Sequence, residues 1–145
     1  SAPVALPLKQ RFTDNGDGTV TDNQSSLVWL KDVNCFGVNK WSKAMNLAKR
    51  LKNGQCGLHD GSVAMQWRLP SKEEWNTLID KSARNPALPV GYPFIGVWSS
   101  GYYWSSTSDA ADTSDAWLAN LYNGSVILYG KTSYDGYVWP VRDGR

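Results

Sequence analysis

Histidine is nearly missing from this sequence: His59 is the only one in 145 residues. A Ser-His-Asp or Cys-His catalytic arrangement would have to run through it. Its setting, Gly57-Leu58-His59-Asp60-Gly61, reads instead as a surface turn. Glutamate is as scarce, with Glu73 and Glu74 the only two. They adjoin at a predicted helix start, where negative charge complements the dipole, so a glycosidase-type carboxylate pair would need aspartates. No apolar run approaches the roughly 20 residues that span a bilayer, and no charged-then-apolar leader stands at the start, so no membrane insertion is expected. The formal charge is only +2. The overall field therefore carries no nucleic-acid signature, and any anion binding must come from a local patch.

Cysteine is limited to Cys35 and Cys56. They flank a helical pattern and lack the His-rich or CxxC spacing of a metal site. A disulfide tying the helix start to the loop after its end is expected, and with it an oxidising compartment. Two buried, reduced thiols are the alternative.

What the chain does have is bulk and aromatic rings. Hydrophobic residues make up 41% and charged ones 19%, with 8 Trp, 7 Tyr and 13 Gly, which suits one loop-rich folded domain. Ser1 to Leu8 reads as a proline-spaced, extended lead-in cut from a longer protein. Asn15-Gly16-Asp17-Gly18 between β-formers predicts a hairpin, and Leu27-Val28-Trp29-Leu30 a buried strand. From Asn39 a helix is predicted, with Trp41, Ala44, Met45, Ala48 and Leu51 on one face and a C-cap at Asn53-Gly54. Ser71-Lys72-Glu73-Glu74 reads as a capping box opening a second helix whose buried stripe is Trp75, Leu78 and Ile79. Periodicity then fails from Ser82 to Ser114, a long aromatic loop of the kind that carries function when ordered. Ala116 to Tyr122 and Ser125 to Tyr129 flank Asn123-Gly124 as a hairpin, and Tyr137 to Arg142 is a last strand in which Pro140 marks an edge or bulge.

Taken together, the hairpin, the disulfide-flanked helix, Trp67-Arg68-Leu69-Pro70-Ser71, Tyr103-Trp104-Ser105-Ser106-Thr107, the Asn-Gly hairpin and Trp139-Pro140-Val141-Arg142 form a set. It resembles the C-terminal domain family of the Legionella collagen-like adhesin from Phe12 to Arg142. The resemblance implies a C-type-lectin-like α+β fold with paired N- and C-terminal strands, two flanking helices and a long presenting loop. It further implies surface display, a homotrimer, and sulfated or otherwise anionic polysaccharide as ligand. Trp67 to Trp75 is also similar to the formylglycine-generating enzymes, whose copper is held by a pair of cysteines late in the chain. Here the last cysteine is Cys56, so no enzyme is expected.

Two basic surfaces suit such a glycan. One is Lys43, Lys49, Arg50 and Lys52 on the first helix, for which a solvated helix face is the plain alternative; the other is Lys131 with Tyr134, Asp135 and Tyr137. Of the loop aromatics, Trp104 is expected inward and Tyr102 at the surface as a ligand contact, while Trp29, Trp41, Trp67, Trp75, Trp117 and Trp139 are expected in the core. No cofactor is required. Calcium is the one candidate, at Asp109, Asp112 and Asp115 more readily than at the Asp14 to Gly18 turn, which fails the EF-hand pattern. The reading is a lead-in or stalk junction over 1–10 and one domain over 11–145, secreted or on a bacterial cell surface, acting as a non-catalytic adhesin module. A protein-binding tip or scaffold domain of a surface or pilus assembly is the rival.

Overall fold

The computed structural model describes residues 10–144, so the expected lead-in lies, apart from Gln10, outside the described residues. Strands are β1 (Phe12–Asp14), β2 (Thr19–Asp22), β3 (Leu27–Leu30), β4 (Val38–Asn39), β5 (Tyr102–Ser108), β6 (Asp115–Asn120), β7 (Val126–Gly130), β8 (Gly136–Tyr137) and β9 (Val141–Asp143). Helices are α1 (Trp41–Arg50) and α2 (Lys72–Leu78). The strands make one sheet of order β1-β2-β3-β9 and another of order β4-β8-β5-β6-β7. All pairings are antiparallel except β5 with β8. This is the expected α+β class. The N-terminal strands and the C-terminal strand join in the first sheet, where β9 pairs with β3 and β1 forms the far edge.

The first hairpin forms where its glycines predict. Asp14 accepts the Gly16 N–H and Asp17 accepts the Thr19 N–H, each at 3.0 Å, so both carboxylates serve the turn. Gly18 has φ +89°, and a Cβ there would run into the carbonyl of Gly57. Only glycine lets the hairpin meet the turn that carries Cys56.

Helix α1 begins two residues later than its pattern suggests. Asn39 belongs to β4, paired with Gly136, and its carbonyl accepts the Trp104 indole N–H at 2.8 Å. The helix also ends early. Leu51 is extended and fully buried, while Gly54, at φ +91°, turns the following loop rather than capping the helix. Helix α2 carries the predicted capping box, with Ser71 Oγ accepting the Glu74 N–H at 3.1 Å and Glu74 accepting the Ser71 N–H at 2.8 Å. Its Trp75 and Leu78 are buried.

Strand β5 lies inside the stretch where periodicity fails. Tyr103, Trp104 and Ser105 are all fully buried, so both faces of the strand are covered and no alternation marks it. The second hairpin has a longer loop than Asn-Gly implies, because Leu121 leaves the ladder to enter the core and its N–H donates to Gly101 O at 2.9 Å. The expected last strand divides. Residues 136–137 pair in the second sheet and 141–143 in the first, with Pro140 on the crossing between them.

Two clusters form the core. Trp29, Trp75, Trp139, Phe94 and Tyr103 pack between the sheets, and Ala44, Ala48, Leu69, Trp104 and Leu118 pack under α1. Trp104 is inward, as expected. Trp41 and Trp117 are only partly buried, each under a lysine: Lys131 Nζ stands 4.0 Å from the Trp41 ring and Lys72 Nζ 3.7 Å from the Trp117 ring.

Cys35 and Cys56 are joined, with Cα atoms 5.6 Å apart, across 21 positions of sequence. Closing a loop of that size stabilises by about 3 kcal/mol through the unfolded chain. Replacing both cysteines by serine should lower unfolding free energy by about that amount in urea titration. A loss below about 0.5 kcal/mol would show that the loop is held by packing alone.

Candidate binding surfaces

The first candidate surface is the outer side of α1. Ala44 and Ala48 bury the inner side, leaving Lys43, Lys49 and Arg50 exposed, while Lys52, expected on the helix, is exposed just past its end because the chain turns extended at Leu51. Lys49 and Arg50 stand in the last turn, where cations complement the helix dipole. Between residues 33 and 59 the chain holds five Lys and Arg and not one Asp or Glu. Only Lys40 of these has an acidic partner among the described residues, Asp135 at 2.8 Å. That ion pair ties the start of α1 to the loop between β7 and β8. The acid-free run was legible in the sequence as a charge count over a window wider than the helix.

The second expected surface, around Lys131, does not hold together as one patch. Lys131 Nζ donates to Ser108 Oγ at 2.7 Å and lies over Trp41, while the Lys131 carbonyl accepts the Trp41 N–H at 3.2 Å. Trp41 Nε1 donates in turn to Ser105 O at 2.9 Å. Lys131 thus fastens the start of α1 to β5 rather than reaching into solvent. Tyr134 packs under α1 with Tyr102, whereas Tyr137 lies on the opposite face of the sheet, in the core between the sheets. The two faces separate them because Tyr137 pairs with Tyr103, and Tyr103 and Tyr102 point oppositely along β5.

Tyr102 does reach a partly exposed position, in company with a residue that the sequence did not single out. Tyr102, Tyr129 and Tyr134 form a triangle with ring centroids 5.8, 5.8 and 4.8 Å apart. Desolvation, then the neighbouring Tyr102, raise the Tyr134 hydroxyl pKa above its ordinary value. Tyr129 stands opposite Ala116 in the ladder, a small partner that leaves room for the ring. Register was the signal that could have found it.

On the other face an aromatic stack runs from the core to solvent. Tyr103 stacks on Tyr137 at 5.1 Å and Tyr137 on Trp98 at 6.5 Å, and the Tyr103 hydroxyl accepts the Trp98 N–H at 3.0 Å. Trp98 is 57% exposed at the end of this stack.

The calcium candidates do not converge. Asp109 accepts the Ala111 N–H and Asp112 accepts the Ser114 N–H, each at 3.1 Å, so these carboxylates serve their own turns. Among the described residues no group of three His, Cys, Asp or Glu side chains could hold a metal ion. His59 is exposed, as its turn suggested.

Fold and surfaces together define a disulfide-braced α+β domain whose candidate sites are open faces carrying cations or aromatic rings. Residues 18–142 match the Lcl C-terminal domain, and the chain belongs to that adhesin-associated family. The match begins after β1, six residues later than the resemblance read from Phe12. No curated protein matches the chain. The family points to a secreted or surface-displayed domain, and among the described residues no helix is long and apolar enough to cross a membrane.

Burial, opposed in part by the bond from Trp98, pushes the Tyr103 pKa up to about 12. A raised pKa contributes stability that is complete below the unfolded value near 10 and is lost as pH rises toward 12. Unfolding free energy should therefore fall across that window, and Tyr103→Phe should flatten the fall. An unchanged alkaline slope in the variant would assign the loss to another group.

Proposed function

We propose that this domain is an extracellular, non-catalytic module that binds sulfated or otherwise anionic polysaccharide along the outer side of α1. The observation that carries this reading is the acid-free run, in which Lys43, Lys49, Arg50 and Lys52 are exposed with no carboxylate within 4 Å among the described residues. A sulfate lying there meets charge-assisted donors without competition from the protein's own acids. Arg50 adds a planar fork that grips two oxygens at once. Beside the helix start, the Tyr102, Tyr129 and Tyr134 rings offer apolar faces to sugar C–H groups. Display as a homotrimer would repeat the patch three times, and avidity would raise apparent affinity without better contacts. The reading needs no calcium.

The absence of catalysis is supported by how the reactive side chains are used. Both cysteines are in the disulfide, which leaves neither as a thiolate of the kind the formylglycine-generating enzymes use. Glu74 is engaged by its capping box and by Arg68 at 2.6 Å.

A second reading, a protein-binding tip, is favoured by one observation. Trp98 is exposed on Tyr137, whose ladder partner Val38 is itself 49% exposed, a firmly backed apolar surface.

Chromatography on immobilised heparin separates the two. Retention should fall steeply from about 0.1 to 1 M salt, over which the Debye length shrinks from about 10 to 3 Å. Replacing Lys43 and Arg50 together by alanine should weaken low-salt binding by roughly fivefold. Lys131→Ala should leave retention intact while lowering thermal stability. Retention indifferent to salt would defeat the polyanion reading, and its loss in Trp98→Ala would move the site to the aromatic stack.

A further inference from the structure

The first hairpin, the end of β3 and the disulfide turn enclose a cavity of about 560 Å³. Its shape follows from glycine. Gly16 and Gly57 line it at φ +75° each, and nothing lies within 4 Å of where their Cβ atoms would stand. Exposed Ile95 and the half-cystine Cys56 give it apolar wall.

The charges at its rim are unequal. Asp14 is satisfied by Lys31 at 2.7 Å. Asp32 also lines the cavity, yet among the described residues it has no cation within 4 Å and accepts no side-chain or backbone hydrogen bond. Two carboxylates, those of Asp14 and Asp32, thus line the cavity against one ammonium, that of Lys31. In a chain of net charge +2 this corner is negative, the opposite of α1. It repels the polyanion of the preceding section and favours a cation. The apolar wall asks for a ligand whose charge ends a hydrocarbon stem.

We propose that this cavity binds a primary alkylammonium group, its stem against Ile95 and the disulfide and its nitrogen on the Asp32 carboxylate. A lysine side chain of a partner protein and a free aliphatic diamine carry the same chemistry. Either would form a charge-assisted hydrogen bond with a carboxylate that otherwise lacks one. The site is independent of glycan binding.

The test is an amide-shift titration of the ¹⁵N-labelled chain with N-acetyl-lysine methylamide, with cadaverine, and with the lysine amide acetylated on its side-chain nitrogen. Saturable shifts at Gly16, Gly57 and Ile95 are expected from the first two and not from the third. Tighter binding of the lysine amide points to a protein side chain, and tighter binding of cadaverine to a free diamine. Asp32→Asn should weaken binding roughly tenfold, as loss of one charged hydrogen bond does. Ile95→Lys, which brings its own ammonium to the rim, should abolish it. Equal shifts from the acetylated amide, or an Asp32→Asn variant that binds as well as the parent, would overturn the proposal. Heparin retention of Asp32→Asn should match the parent, so failure here and failure of the glycan reading remain distinguishable.

Discussion

The structure depends on one indole. Trp139 sits on the crossing where the chain leaves the second sheet after β8 and enters the first at β9. Its ring lies 4.7 Å from Phe94, 5.3 Å from Trp29, 5.6 Å from Trp75 and 5.8 Å from Tyr103, centroid to centroid. These come from the long loop, the first sheet, α2 and the second sheet in turn. Its Nε1 donates to Leu30 O at 2.9 Å, so the ring is oriented as well as buried. The tilted and edge-on contacts are those that aromatic quadrupoles prefer, and each adds roughly 0.5–1.5 kcal/mol beyond area burial. Neither sheet alone closes this cluster. The two therefore share one core, and the irregular segment holding Phe94 is fastened to it.

From that core rigidity is passed outward. Tyr103 belongs to the cluster, Tyr137 rests on Tyr103, and Trp98 rests on Tyr137, so an exposed indole inherits the order of a buried one. The helix α1 is held in a comparable way. Lys40 binds Asp135, Trp41 bonds to Ser105, and Lys131 covers Trp41, three contacts that fix the helix start while its outer cations have no acidic partner among the described residues. A surface whose backbone is already fixed has less entropy to lose on binding, which favours recognition by modest contacts.

Much of this was legible in order along the chain. The Asn-Gly-Asp-Gly hairpin, the Ser71 capping box, the paired cysteines and the strand at Leu27 all rest on local rules, and all stand where those rules place them. The misses share a different cause. Strand β5 is buried on both faces and so lacks alternation. Tyr134 and Tyr137 are three apart in sequence yet fall on opposite sides of a sheet. Lys131 reads as a free cation until Ser108 and Trp41, 23 and 90 positions away, are brought beside it. The aspartates at 109, 112 and 115 read as a cluster, but the carboxylates of Asp109 and Asp112 accept N–H groups of their own turns, and among the described residues no three such side chains converge.

The same distinction ranks the lysines. A cation seated over an indole already gains roughly 0.5–2 kcal/mol, depending on how dry the contact is. Lys72 over Trp117 and Lys131 over Trp41 are so placed, and a ligand must exceed what they would give up. Lys31 and Lys40 are held by Asp14 and Asp135. Lys43, Lys49 and Lys52 have no carboxylate within 4 Å among the described residues, so they give up water alone. Among the carboxylates, Asp14 and Asp22 are held by Lys31 and Arg11, whereas Asp32 has no cation within 4 Å among the described residues. A single criterion, which charges the fold has left unspent, thus singles out the cations along α1 and the carboxylate of Asp32.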